Sequence, residues 1–316
     1  MLSRIADSLF WIARYMERAE GTARILDVNY HMMLEQSNQP YRLRWDPLVI
    51  IAGEYERFFS LYQGATSYTV LDFLGFRQEN PNSIVKCISN ARENARTIRD
   101  RISRDMWEDL NGLFHEVSRY SVAEVIATGP HRFCNLIKFG THRFHGVTDA
   151  TLPHDEGWQF LQAGRALERA GMTARIVDVQ YHNLVEGPLS EPDNHQWMAV
   201  LKSVAAYEYY RRQYRARIEP EKVAELLLLQ GLHPCSIRFN IAALQEALRA
   251  VSGTGHGTYA NEAERRTGKL LDTLVYDRIE DVLSRGLHAF LTDLQRTCGA
   301  IGEDIARTYF YYPVAE

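Results

Sequence analysis

The side chains of this chain best suited to chemistry are charged and fall in two matching runs. Residues 14–31 read RYMERAEGTARILDVNYH and residues 165–182 read RALERAGMTARIVDVQYH, identical at 12 of 18 positions without a gap. The polar residues shared by both runs are Arg14, Glu17, Arg18, Thr22, Arg24, Asp27 and His31, answered by Arg165, Glu168, Arg169, Thr173, Arg175, Asp178 and His182. Guanidinium groups grip carboxylates or phosphates through paired hydrogen bonds, a free glutamate can act as a general base, and imidazole exchanges protons near neutrality. On a helix, Glu17, Arg24, Asp27 and His31 project within about 80 degrees of one another and form a ladder of charges, with Arg18 and Thr22 on the opposite flank. An exposed ladder is worth only a few tenths of a kcal/mol per pair and would drift between two copies. Retention of the whole set therefore favours partly buried guanidinium-carboxylate pairs at a seam between helices. A ligand cleft is the second reading and catalysis the third. Ala19, Ala23, Ala170 and Ala174 support the seam, since small side chains let two backbones approach, and they predict that the two motif helices face each other across a pseudo-twofold axis.

Other constellations carry less. His142 and His145 in THRFH, followed by His154-Asp155-Glu156, have spacings that could present imidazoles to zinc or iron. Glu-x-x-His pairs of the helical di-iron kind are missing, and neither a metal nor a cofactor is expected. Arg92, Arg96 and Arg99 line one helical edge that could receive a phosphate or carboxylate, although a solvated edge paired with Glu93 and Asp100 is the simpler reading. No GxxxxGK[ST], GxGxxG or GxSxG run and no Cys-His arrangement is present to support nucleotide-driven or nucleophilic catalysis.

The elements that must position these groups are helical. A stripe of Ile12, Tyr15, Met16, Ala19, Ala23, Leu26 and Tyr30 predicts one long helix over residues 3–36, with Ser3 as its N-cap. Asp46-Pro47 predicts a helix start that runs through Tyr62, and Ser83 and Ser236, each two residues after a proline, predict two more. A stripe from Ile84 to Leu113 predicts a helix continuing to about Tyr120. The second half supplies helical segments near 156–186, 196–215, 220–230, 236–252, 260–275 and 279–311, with Gly253-Thr254-Gly255-His256-Gly257 as the clearest loop. Period-two alternation is not sustained anywhere, so strands are not expected.

The match between the halves extends beyond the motif. At an offset of 152, Trp45, Tyr55, Glu56 and Tyr62 meet Trp197, Tyr207, Glu208 and Tyr214; at 153, Pro81, Ser83 and Ile84 meet Pro234, Ser236 and Ile237. The expected architecture is all-α, two diverged repeats of a multi-helix unit, residues 1–150 and 151–316, joined near HGVTDATLPHDE at 145–156.

Composition sets limits on function. With 316 residues, 46% hydrophobic, the chain can bury cores of ordinary domain size. A net charge of -4 gives no overall cationic field, which disfavours nucleic acid or an anionic membrane as the main partner. No apolar run reaches membrane-spanning length, and Arg4, Asp7 and Arg14 interrupt any signal-peptide core. Cys87, Cys134, Cys235 and Cys298 lack CxxC spacing and read as reduced, mostly buried thiols of a cytoplasmic protein.

The runs YMERAEGTARILDVNYH, ALERAGMTARIVDVQYH, ARENARTIRDRISRDMWEDL and HDEGWQFLQAGRALERA resemble the bacterial alpha-E family, helical proteins named for a Glu-Arg motif. The resemblance covers nearly the whole chain. The main departure is Gly171 where the first copy has Glu20, which removes one copy of the Glu20-Arg24 pair. The resemblance implies an all-α protein encoded beside, or fused to, circularly permuted ATP-grasp ligase-like proteins. It also implies the company of transglutaminase-like proteins and, in some bacteria, a proteasome-related peptidase. The expected function is a non-catalytic partner or substrate-presenting module of an ATP-grasp peptide or amide ligase system. The alternatives are an enzyme of the same pathway with Glu17 or Glu168 as general base, and a purely structural helical scaffold.

Overall fold

The computed structural model describes residues 1–35, 45–181, 194–215 and 217–311. Among them there are sixteen α-helices and no strand. The first eight are α1 (Ser3–Glu35), α2 (Asp46–Ala52), α3 (Tyr55–Leu61), α4 (Ser67–Leu71), α5 (Ile84–Thr97), α6 (Arg104–Val117), α7 (Val122–Thr128) and α8 (His131–Thr151). The next eight are α9 (Glu156–Tyr181), α10 (Asn194–Ser203), α11 (Tyr207–Tyr214), α12 (Pro220–Leu229), α13 (Ile237–Ser252), α14 (Glu262–Tyr276), α15 (Ile279–Ser284) and α16 (Leu287–Ile305). Single π-helical turns, Asp72–Phe76 and Ala306–Phe310, extend α4 and α16. No described helix is long and apolar enough to cross a membrane.

The apolar stripes face inward as the periodicity requires. Ile12, Met16, Ala19, Ala23 and Leu26 of α1 are buried, as are Ile84, Ile88, Ala91 and Ala95 of α5. At the centre α1 packs along α9; α1 also packs on α5 and α8, and α9 on α13 and α16. The two central helices run parallel and in register. A Cβ on Gly164 would overlap the Phe10 carbonyl oxygen, and one on Gly21 would lie 3.2 Å from Met172 Cγ, so positions about 151 to 154 apart stay adjacent along the pair. Ala19, Ala23, Ala170 and Ala174 are all fully buried.

Local punctuation departs from the sequence reading in six places. Ser3 is the first helical residue rather than the cap, and the Leu2 carbonyl accepts from Ile5 and Ala6. The helix expected to run from 46 through Tyr62 is cut by Gly53 in the left-handed region (φ 74°), and Trp45, not Asp46, stands at the cap position. The stripe from Ile84 onward breaks after Thr97 and restarts where the Ser103 hydroxyl caps Met106. The connection expected from residue 145 is helical through Thr151, because His145 and Thr148 are buried, and only residues 152–155 link α8 to α9. Likewise Ala205 (φ 54°) and Gly286 (φ 91°) divide the segments expected as 196–215 and 279–311. Ser83 and Ser236 do cap α5 and α13, accepting from Lys86 and Phe239, and the 253–257 loop holds two left-handed glycines, Gly253 and Gly257.

Candidate functional site

Parallel packing of α1 on α9 puts each Glu-Arg pair opposite the other. Glu17 accepts from Arg169 twice, Nε to Oε2 at 2.9 Å and Nη2 to Oε1 at 2.7 Å. Arg165 lies 3.5 Å from the same carboxylate, and His145 of α8 donates to it from Nε2 at 2.8 Å. In return Glu168 accepts from Arg18 Nε and Nη2 at 2.7 and 2.9 Å and from Arg14 Nε at 2.8 Å. Arg18 also donates to Asn82. Glu17 and Glu168 are only 4% and 3% exposed, so these are desolvated, charge-assisted contacts rather than surface pairs.

Burial would raise the two carboxyls, but the guanidinium groups outweigh it. Arg169, His145 and Arg165 hold Glu17 well below the usual carboxylate range, and Arg18, Arg14 and Arg175 do the same for Glu168. The coupling runs both ways: burial opposes it, yet Arg18 and Arg169 are held above the ordinary arginine value by the glutamates they bind. Burial pushes His145 below the usual histidine range, against the pull of Glu17. A carboxylate whose oxygens are occupied and whose proton affinity is this low makes a poor general base.

The charged residues read as one ladder along α1 fall into separate groups. Arg24 is bonded to Glu20 one turn earlier. Asp27 accepts from Lys138 Nζ at 2.6 Å and from His131 Nδ1 at 2.9 Å, with His31 Nδ1 3.4 Å from the same carboxylate. Asp178 accepts from His288 Nδ1 at 2.6 Å and Gln295 Nε2 at 3.1 Å. His182 lies outside the described residues. Partners from α8 and α16 were missed from sequence because they stand more than 100 positions away with no local spacing to mark them.

The weaker constellations resolve into ordinary contacts. His145 is committed to Glu17, His142 lies 3.6 Å from Glu20, and His154 stacks on Trp158 at 4.2 Å, so they do not converge on a metal. Asp27, His31 and His131 do bring three ligand-type atoms within 4.8 Å. The Lys138 ammonium already sits on Asp27, and Asn135 occupies His131 Nε2 at 2.8 Å, which makes the set a hydrogen-bonded cluster. Arg92 bonds Asn111 and Glu93, Arg96 bonds Glu93, and Arg99 lies 5.1 Å over the Trp107 ring.

Two depressions are the candidates for a ligand. One, about 600 Å³, is lined by Glu116, Tyr120, Arg132, Phe139 and Arg143 and mixes charges of both signs. The other, about 310 Å³, opens onto the motif itself, between Trp11, Arg14, Glu168, Arg175, Gly302 and Phe310.

An uncharacterized protein of Mycobacterium bovis is 23% identical over 321 residues, covering 96% of this chain and 36% of the relative. Uncharacterized proteins of two Mycobacterium tuberculosis strains match with the same identity and coverage. The chain therefore spans about a third of the length of these relatives. No solved structure matches it. Residues 1–310 match the model of Alpha-E, described as a predicted alpha-helical domain with a conserved ER motif, and the chain belongs to that family.

Proposed function

We propose that this chain is a non-catalytic partner or substrate-presenting module of an ATP-grasp peptide or amide ligase system, in a cytoplasmic setting. The observation that carries the non-catalytic part is the pairing of Glu17 and Glu168, each buried and gripped at both oxygens by arginines of the opposite helix. The family resemblance supports the ligase setting, with transglutaminase-like proteins and a proteasome-related peptidase as further partners. The longer relatives, in which this region fills 36% of the chain, fit a module joined to other machinery.

The same reading holds that residues 1–150 and 151–316 are diverged copies packed about a pseudo-twofold axis. Support comes from bonds that exchange under an offset of 151, Glu17 with Arg169 against Glu168 with Arg18. Asp27 with His131 is likewise mirrored by Asp178 with His288, at offsets of 151 and 157, and Tyr62 with Asp72 by Tyr214 with Glu225, at offsets of 152 and 153. The succession α1 to α8 is matched by α9 to α16 in order and in packing partners.

Co-purification from the native cell, followed by assay of the complex for ATP-dependent amide formation, tests the functional reading. Enrichment of a ligase-like protein whose turnover depends on this chain is expected. Recovery of the chain without such a partner, or turnover by the chain alone, contradicts it.

A further inference from the structure

Arg24 and Arg175 occupy the same place in the two TAR runs, yet only one of them is satisfied. Arg24 donates to Glu20, whereas Arg175 has Gly171 one turn earlier. Its buried Nε has no hydrogen-bond partner in the structure, and its nearest carboxylate oxygen, on Glu168, is 4.0 Å away. Burial and the neighbouring Arg18 and Arg14 guanidinium groups push Arg175 below the ordinary arginine range, with Glu168 only partly opposing them.

Gly171 is not the only side chain removed. His131 and Lys138 face Asp27 as His288 and Gln295 face Asp178, an offset of 157 that sets His142 against Gly299 and His145 against Gly302. The three groups that fill the space around Glu17, Glu20, His142 and His145, thus have glycine counterparts around Glu168. What they leave is the 310 Å³ cleft lined by Gly171, Gly299 and Gly302, floored by Arg14, Glu168 and Arg175, and walled by Trp11 and Phe310.

Charge decides what the cleft takes. Around Glu17 and Glu20 stand Arg165, Arg169 and Arg24, a formal balance of +1; around Glu168 stand Arg14, Arg18 and Arg175, a balance of +2, the Glu303 carboxylate that also lines the cleft being paired with Arg307 at 3.3 Å. One singly charged anion restores the balance, and a carboxylate matches both the missing group and the guanidinium geometry. We propose that the cleft between α1, α9 and α16 binds a small monocarboxylate, with its carboxylate on Arg175 and an apolar body against Trp11 and Phe310. It rests on the module reading only in that a bound carboxylate is what such a module would present to a ligase; binding itself needs no partner.

Titration calorimetry of the full chain with phenylacetate, phenylacetamide and inorganic phosphate tests this, alongside Gly171→Glu and Arg175→Gln. A Cβ at Gly171 meets only Arg175 Nη1, at 3.7 Å, so the new glutamate can bond Arg175 as Glu20 bonds Arg24. Phenylacetate is expected to bind one to one, the amide at least tenfold more weakly. Gly171→Glu is expected to lose phenylacetate at least tenfold while melting at or above the parent temperature, which separates ligand loss from fold loss, and Arg175→Gln to lose it similarly. No phenylacetate binding, equal binding of the amide, preference for phosphate, or unchanged binding by Gly171→Glu would overturn the proposal. Failure here leaves the co-purification outcome untouched, so the two readings fail separately.

Discussion

Glu17 and Arg169 meet through two parallel hydrogen bonds of 2.9 and 2.7 Å across the α1-α9 interface, 152 positions apart in the chain. Each group is costly to bury alone and the pair excludes any shifted packing of the two helices, because sliding by one turn would strand four guanidinium groups and two carboxylates.

Removing one partner should expose that cost. Glu17→Gln leaves the Arg169 charge buried without its counterion and is expected to lower unfolding free energy by about 3–5 kcal/mol, with Glu168→Gln similar. In a double-mutant cycle by urea unfolding, Glu17→Gln combined with Arg169→Met should cost less than the sum of the single changes by more than about 1 kcal/mol. Additive costs would show that the pair is not coupled.

The same pairs set a pH dependence. Glu17 and Glu168 have folded pKa values depressed from the ordinary 4.5, so the stability they supply is present above that value and lost as pH falls below it toward their folded values. Each contributes a slope of up to about 1.4 kcal/mol per pH unit in that acid window. Urea unfolding at pH 6 and at successive steps below 4.5 should show Glu17→Gln with a flatter acid limb than the parent and no change of slope near neutrality.

Close approach of the central helices depends on one glycine more than on the others. Gly164→Ala drives a Cβ into the Phe10 backbone carbonyl, which no rotamer change relieves, and is expected to cost about 1–3 kcal/mol. Gly112→Ala in α6 meets nothing within 4 Å and should instead stabilise by about 0.5–1 kcal/mol. Thermal melts of the two variants moving in the same direction would contradict the packing described.

Thiol chemistry offers an independent check of burial. Burial pushes Cys87 and Cys298 up to about 12 and raises Cys134 as well, so these three should resist an aromatic disulfide reagent at pH 8. Burial raises Cys235 too, but it is more exposed than the other three and should react first, with all four titrating after denaturation.

How much of this was legible in the sequence follows from range. The α1 stripe, the serine caps at Ser83 and Ser236 and the glycine loop at 253–257 are written within a few residues and were read there. The breaks at Gly53 and after Thr97 were not, because a glycine inside a helical pattern and a short gap in a continuing stripe look tolerable until the backbone must turn. In sequence His145 reads as half of a metal-type pair, yet its partner is Glu17, 128 positions away. Gly171 was visible as a departure from Glu20; that it opens a cleft needed Gly299 and Gly302, which become its neighbours only when α16 packs on α9.

We propose that the motif glutamates hold the chain in register and do no chemistry. The most direct test is to measure, on the same samples of Glu17→Gln and Glu168→Gln, both the unfolding free energy and the amide-forming turnover of the reconstituted complex per folded chain. A stability loss of about 3–5 kcal/mol is expected, with turnover within about twofold of the parent under conditions where the variant is folded. A variant of unchanged stability whose turnover falls by about 100-fold or more, the loss expected when a general base is removed, would contradict it.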